Sequence, residues 1–268
     1  MKSGSPAQLR AHLDRCGNRM KKIGIVGGVG WQSTVHYYSE LCRRSERLQL
    51  ATPAGGVPSI PEISIESLDL AKAVSYLGRD EDEESWAQFD DYHRSALMRL
   101  AASGADFALM ASNSPHHRFE AIVRGIPIPV IDVVNAVAKE STRMGARQVL
   151  ILGTALTMRS ARFREGFARH GIQAAGPQDE AAKAMTVELI TDLQMGKIAG
   201  GAERVEKIAR LSFGSGFSNQ PAVCLACTEL PLAFEMLQTL ESFRYGGILF
   251  LNASIVHINA AFKFATDQ

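Results

Sequence analysis

Residues 22–34 read Lys22-Ile23-Gly24-Ile25-Val26-Gly27-Gly28-Val29-Gly30-Trp31-Gln32-Ser33-Thr34, and the fold follows from this stretch. Lys22–Val26 is a short, nearly continuous apolar run, the pattern of a strand covered on both faces by helices. Glycine punctuation follows at once. Ser33 or Thr34 can then cap a helical pattern over Thr34–Leu48. A strand that passes through a glycine turn into a helix is the repeating unit of a parallel α/β sheet.

The unit recurs along the chain. Further strands are expected at Glu62–Glu66, Ala105–Ala111, Pro127–Ile131, Gln148–Leu152, Ala222–Ala226 and Ile248–Leu251, with a weaker one at Gly171–Ala174. Helical patterns lie at Glu84–Ala102, Val133–Met144, Thr157–His170, Glu180–Met195, Glu229–Thr239 and Ser254–Thr266. The order has an internal symmetry. One strand opens into Gly27-Gly28-Val29-Gly30 and a later one into Gly153-Thr154; a third ends before Ser112-Asn113-Ser114 and a fourth before Cys227-Thr228-Glu229. Ligands of parallel α/β sheets bind beyond the carboxyl ends of strands, so two facing units would put all four turns around one crevice. The expected fold is therefore α/β: two pseudo-symmetric, doubly wound parallel-sheet domains with the active site in the cleft between them. Residues 1–20 read as a flexible extension, 21–131 plus 244–268 as the first domain, and 132–243 as the second.

Composition narrows the function. The chain has 268 residues, with 29 basic and 28 acidic side chains. That balance removes the electrostatic argument for nucleic acid or an anionic membrane surface as partner. No apolar run approaches the ~20 residues that span a bilayer, and the first twenty residues lack the apolar stretch of a signal peptide. Cys16, Cys42, Cys224 and Cys227 form no disulfide framework, and a cytoplasmic setting is expected. The acidic run Asp80-Glu81-Asp82-Glu83-Glu84 lacks the alternating ligand spacing of a calcium loop and reads as a solvated loop or helix N-terminus. No metal site is expected.

Three motifs carry chemistry. Gly28, Gly30 and Ser33 approximate a dinucleotide fingerprint, but the acidic residue expected ~20 positions on is absent from Leu48-Gln49-Leu50-Ala51. A turn that lets a small substrate approach backbone N–H groups fits better. Cys224-Leu225-Ala226-Cys227 is a C-x-x-C, yet Cys224 lies inside an apolar strand and further zinc ligands are missing. Cys227 ends that strand before a helical pattern, a position that can depress a thiol pKa and expose the sulfur to a cleft. Ser112-Asn113-Ser114-Pro115-His116-His117 packs hydroxyls, an amide and two imidazoles into the matching turn of the other half. An N-cap cluster accounts for its serines without chemistry; the matching position of Cys227 favours a site.

These residues carry a resemblance. The opening 22–34 with Tyr37-Tyr38, the segment Ser112-Asn113-Ser114-Pro115-His116, the turn Ile151-Leu152-Gly153-Thr154 with Thr157-Met158, and Ala226-Cys227-Thr228-Glu229-Leu230 together resemble the aspartate/glutamate racemase superfamily, which works without pyridoxal phosphate. The match runs over roughly residues 21–260 in the family's order. It implies Cys227 and the position of Ser112 as the two catalytic groups, the first family cysteine being Ser112 here. It further implies Gly28, Gly30, Asn113, Ser114, Thr154, Lys183 and Thr228 as substrate-binding, His116, Glu229 and His257 as supporting, no cofactor, a small acidic amino acid or related dicarboxylate as ligand, and a homodimer. Asn252-Ala253 stands where the family usually has Asp-Thr.

Racemising an amino acid without a cofactor needs an acid/base group on each face of the α-carbon and fixed donors for the carboxylate that gathers charge. A thiol with an ordinary pKa of ~8.5 suits the task; a serine hydroxyl is a poorer base and needs activation. The expected activity is that of an enantiomer-selective racemase acting on aspartate or glutamate, with Cys227 as base and Ser112, helped by His116 or water, on the opposite face. Two alternatives stay open: a single-cysteine decarboxylase of the same superfamily, and a non-catalytic binder of an acidic metabolite.

Overall fold

β1 (Ile23–Gly27) is buried along its whole length and lies inside a four-stranded sheet of order β2-β1-β3-β4, formed with β2 (Ile63–Ser67), β3 (Phe107–Met110) and β4 (Val130–Ile131). All of its pairings are parallel. A second sheet has the order β6-β5-β7-β9-β8, from β5 (Gln148–Leu152), β6 (Gln173–Ala175), β7 (Ala222–Leu225), β8 (Ser242–Tyr245) and β9 (Ile248–Asn252). It is parallel except for the edge strand β8, which runs antiparallel to β9. The computed structural model describes residues 20–50, 60–213, 217 and 221–267. The extension expected over residues 1–20 lies outside the described residues apart from Met20.

The two sheets repeat one another in detail. β1 and β5 sit centrally, each flanked by a strand that leads toward the cleft, β3 or β7. Just past β3 the N–H of Ala111 donates to the carbonyl of Val26 at 2.8 Å, and just past β7 the N–H of Ala226 donates to the carbonyl of Leu152 at 2.7 Å. The next residues are Ser112 and Cys227. Each therefore leaves its sheet at the same register, and each is followed by a 3-10 turn with proline at its start, Ser114–Arg118 and Leu230–Leu237.

The halves exchange their last elements. β4 leads through Asp132 into the helix Val133–Arg143, whose buried face joins the second half's core with Val149, Ile151, Phe163 and Phe167. β9 leads through Asn252 into the helix Ala253–Ala265, whose Ile255, Ile258 and Ala261 join the first half's core with Ile23, Ile25 and Leu41. The expected first-domain segment 244–268 is thus divided. β9 has its backbone groups satisfied by β7 and β8, so only the helix after Asn252 returns to the first half.

Other differences are local. The helix expected over Thr157–His170 begins at Ala155 and breaks at Ser160 into Ala155–Arg159 and Ala161–Ala168. The expected helix Glu229–Thr239 is the 3-10 stretch Leu230–Leu237, kinked where Glu235 takes φ 30°. Among the described residues no helix is long and apolar enough to cross a membrane.

Candidate active site

The turn after β1 explains its glycines. Gly28 has φ +87°, and a Cβ there would fall 2.1 Å from the carbonyl oxygen of Leu68, so the chain passes only without a side chain. Its N–H donates to Thr34 Oγ1 at 2.9 Å. Thr34 thereby secures the turn, and Gly30 and Trp31 are left on the wall of a cavity of about 590 Å³.

That cavity lies between the halves. Its wall holds Gly28, Gly30, Ser112, Asn113, Ser114, Thr154, Cys227, Thr228 and Glu229, so nine of the residues expected at the site come together. The halves meet across it through hydroxyls. Ser33 Oγ donates to Thr228 Oγ1 at 2.6 Å, and the hydroxyls of Ser114 and Thr154 lie 3.4 Å apart. Thr154 also caps the helix Ala155–Arg159, accepting from the N–H of Thr157. Asn113 lines the cavity at 6% exposure, and its buried side-chain nitrogen has no protein partner, an unpaired donor that costs roughly 1–3 kcal/mol.

Cys227 is buried, and its Sγ donates to Glu229 Oε2 at 2.9 Å, an oxygen that also accepts from Thr228 Oγ1 at 2.9 Å. Burial, and then the Glu229 carboxylate, push the thiol well above its ordinary pKa. This reverses the expectation of a depressed thiol. The chain beyond Cys227 enters a 3-10 turn at Leu230 rather than an α-helix, and the backbone N–H groups of Thr228 and Glu229, which favour the thiolate, are outweighed by burial and the carboxylate. The pair holds one proton on sulfur with a carboxylate acceptor beside it. Cys224 sits inside β7, pushed up to about 12 by burial alone.

Lys183, expected to bind substrate, is elsewhere. It lines an adjoining depression that shares Ala155 and Arg159 with the cavity, and its Nζ donates to Glu180 at 2.6 Å. The two supporting imidazoles are interior rather than on the cavity wall. His116 Nδ1 donates to Asp132 at 3.2 Å, its ring stacks on Phe119 and its edge meets His257. His257 Nε2 donates to the carbonyl of Ile131 at 2.9 Å, so Nδ1 accepts from Tyr37 Oη at 3.1 Å. No hydrogen bond joins Ser112 to His116 among the described contacts, which removes His116 as the direct partner of that hydroxyl.

Arg159 is the site residue that sequence reasoning missed. It is the one Lys or Arg on the cavity wall among the described residues. Its signal was available: it lies at the end of the short helix that Thr154 caps. Its Nε donates to Asp80 Oδ2 at 2.6 Å, and Asp80 also lies 3.3 Å from His117 Nε2. The acidic run is accordingly not a freely solvated loop. Asp82 caps a short 3-10 turn over Glu83–Trp86, Glu83 pairs with Arg118, and Asp80 ties the run to the second half.

Among the described residues no group of three or more His, Cys, Asp and Glu side chains is arranged to hold a metal. A family model for Asp/Glu/hydantoin racemases matches residues 26–261. Among solved structures the chain is similar to an aspartate racemase homologue from Pyrococcus horikoshii, with 26% identity, TM-score 0.70 and coverage of 92% of this chain and 99% of that one. It also resembles in fold the aspartate racemase of Picrophilus torridus, at 20% identity, TM-score 0.64 and coverage of 91% and 94%. The glutamate racemase of Francisella tularensis, solved with D-glutamate, gives 14% identity, TM-score 0.60 and coverage of 93% and 82%.

Proposed function

This chain belongs to the Asp/Glu/hydantoin racemase family, and from that premise we propose that it moves the α-proton of an amino acid between Cys227 on one face and Ser112 on the other, without a cofactor. The observation that carries the reading is the matched register: both residues stand two positions beyond the end of a central strand, β7 or β3, and both line one cavity.

The steps follow from the groups present. Cys227 passes its proton to Glu229, and the thiolate takes the α-hydrogen as the Cα–H electron pair moves into the carboxylate. That charge is met by the unpaired amide of Asn113 and the hydroxyls of Ser114 and Thr154, donors in place before the reaction begins. Ser112, directly or through a water, returns a proton to the opposite face, and the proton left on Glu229 passes through solvent to restore the Ser112 hydroxyl. A hydroxyl is the weaker partner, so the enantiomer whose α-hydrogen faces Cys227 reacts faster. The family reading takes aspartate and glutamate as the first substrates to test, a homodimer as the assembly and the cytoplasm as the setting.

Only one thiol lines the cavity among the described residues, which favours a second reading: exchange, or protonation after loss of carbon dioxide, on one face alone. One experiment separates the two. The protein is incubated in D2O with each enantiomer of aspartate, glutamate, leucine, methionine and phenylalanine; the α-proton is followed by NMR and the enantiomer ratio by chiral chromatography. Inversion with exchange, abolished by Cys227→Ala, is the expected result. Exchange without inversion assigns the one-thiol site. No exchange with any of the ten sinks the proton-transfer reading.

A further inference from the structure

Resting on that reading of the cleft, we propose that its preferred ligand is an α-amino acid with an uncharged, apolar side chain rather than a dicarboxylate. The cavity wall is of two kinds. Beside the polar donors described above, both halves supply apolar side chains: Leu70, Val74, Leu77 and Phe89 from the first and Leu156 from the second. Leu70 and Val74 fall at i and i+4 on one face of the helix Leu70–Ser75, and Leu77 follows just past its C-cap Tyr76. They are 51%, 55% and 45% exposed, so they retain apolar area for a ligand to cover.

The charges on the wall are already engaged. A second carboxylate would need a cation, and Arg159 is held by Asp80 at 2.6 Å. Glu229, the other charged wall residue, is an anion and repels a dicarboxylate. Arg159 gives its Nε to Asp80, so an acidic side chain would have to share that guanidinium with Asp80 and lie against Leu70, Val74 and Leu77. An apolar side chain needs no share of the cation.

Binding is the direct test because it does not depend on turnover. Calorimetric titration of the intact protein with both enantiomers of leucine, methionine, phenylalanine, aspartate and glutamate should give the apolar set the tighter binding, by about tenfold or more. Val74→Asp, at a half-exposed position, should erase that advantage. Asp80→Asn should release Arg159 and strengthen aspartate and glutamate binding several-fold. Tighter binding of the acidic set by the unaltered protein overturns the proposal, as does an apolar preference untouched by Val74→Asp. Acidic binding unchanged by Asp80→Asn overturns the role given to the Arg159–Asp80 pair. The exchange experiment above reports separately on proton transfer, so an apolar preference without exchange rejects the racemase reading and leaves this one standing.

Discussion

At the scale of single residues the site turns on the contact between Cys227 and Glu229. The position of Cys227 was legible as a strand end in one half matching Ser112 in the other. The direction of its pKa was not, because burial and the approach of a side chain two residues along depend on the 3-10 turn that replaces the expected helix. Glu229→Gln tests the pair. It removes the like charge and the proton acceptor while keeping a side-chain oxygen for Thr228. The thiol should ionise more readily, so alkylation of Cys227 by iodoacetamide at pH 8, located by mass spectrometry, should quicken by about tenfold for each unit recovered. Over the same change, α-proton exchange should fall on the order of 10²-fold for loss of the proton acceptor. A variant whose thiol is no more reactive, or whose exchange is intact, would remove Glu229 from the role given to it.

At the scale of elements the clearest case is the helix Ala253–Ala265. Its existence was legible, as was the capping place of Asn252, whose Oδ1 accepts from the N–H of Ile255. Its docking was not, since an apolar face does not say which core it enters. The edge strand β8 was missed although Gly246-Gly247, with φ 54° and 81°, is a two-residue hairpin signal. The helix Gly201–Ser212 was missed as well: Gly200 and Gly201 open it where a capping side chain would ordinarily mark the start. The returning helix also sets an acid limit on stability. Burial, and then the neighbouring His116, hold His257 down to about 3, against an ordinary 6.5. The unfolded chain therefore binds this proton first. The stabilisation is complete above pH ~6.5 and declines as pH falls toward about 3, at up to ~1.4 kcal/mol per unit. Urea unfolding between pH 7 and pH 4 should show a midpoint that moves steadily down with pH. A midpoint flat across that range would mean that the imidazole is not held neutral in the folded protein.

At the scale of the whole molecule, the proposed proton transfer requires two sheets to keep Ser112 and Cys227 on the wall of one cavity. Sequence symmetry gave the two halves and the crevice, because matched strand ends are a local property. It did not give the bridge, because ion pairs between residues 30 to 80 positions apart leave no periodic trace. Beside the packing of Val133–Arg143 on Ala253–Ala265, part of the bridge lies on the second half's helices Ala155–Arg159 and Ala161–Ala168. Leu156 enters the first half's core, His117 Nδ1 meets Ser160 Oγ at 2.9 Å, and Arg162 donates to Asp132 at 2.6 Å and Glu120 at 2.7 Å. Arg162 and Asp132 are only 10% and 12% exposed, so removing the guanidinium leaves a largely buried carboxylate without its cation. Breaking such a pair typically costs 3–5 kcal/mol, and Arg162→Met should lower unfolding free energy by about 3 kcal/mol. Arg169→Met supplies the contrast: its contact with Glu120 is 3.9 Å long and 64% exposed on the arginine side, and its loss should change stability by less than about 1 kcal/mol. If the bridge sets the spacing of the cleft, Arg162→Met should also slow α-proton exchange on the order of tenfold at temperatures where the protein stays folded, since small misplacements of reacting groups are costly. A variant that loses stability but keeps full exchange would show that Ala155–Arg159 is held in place by Leu156 and the hydroxyl contacts alone.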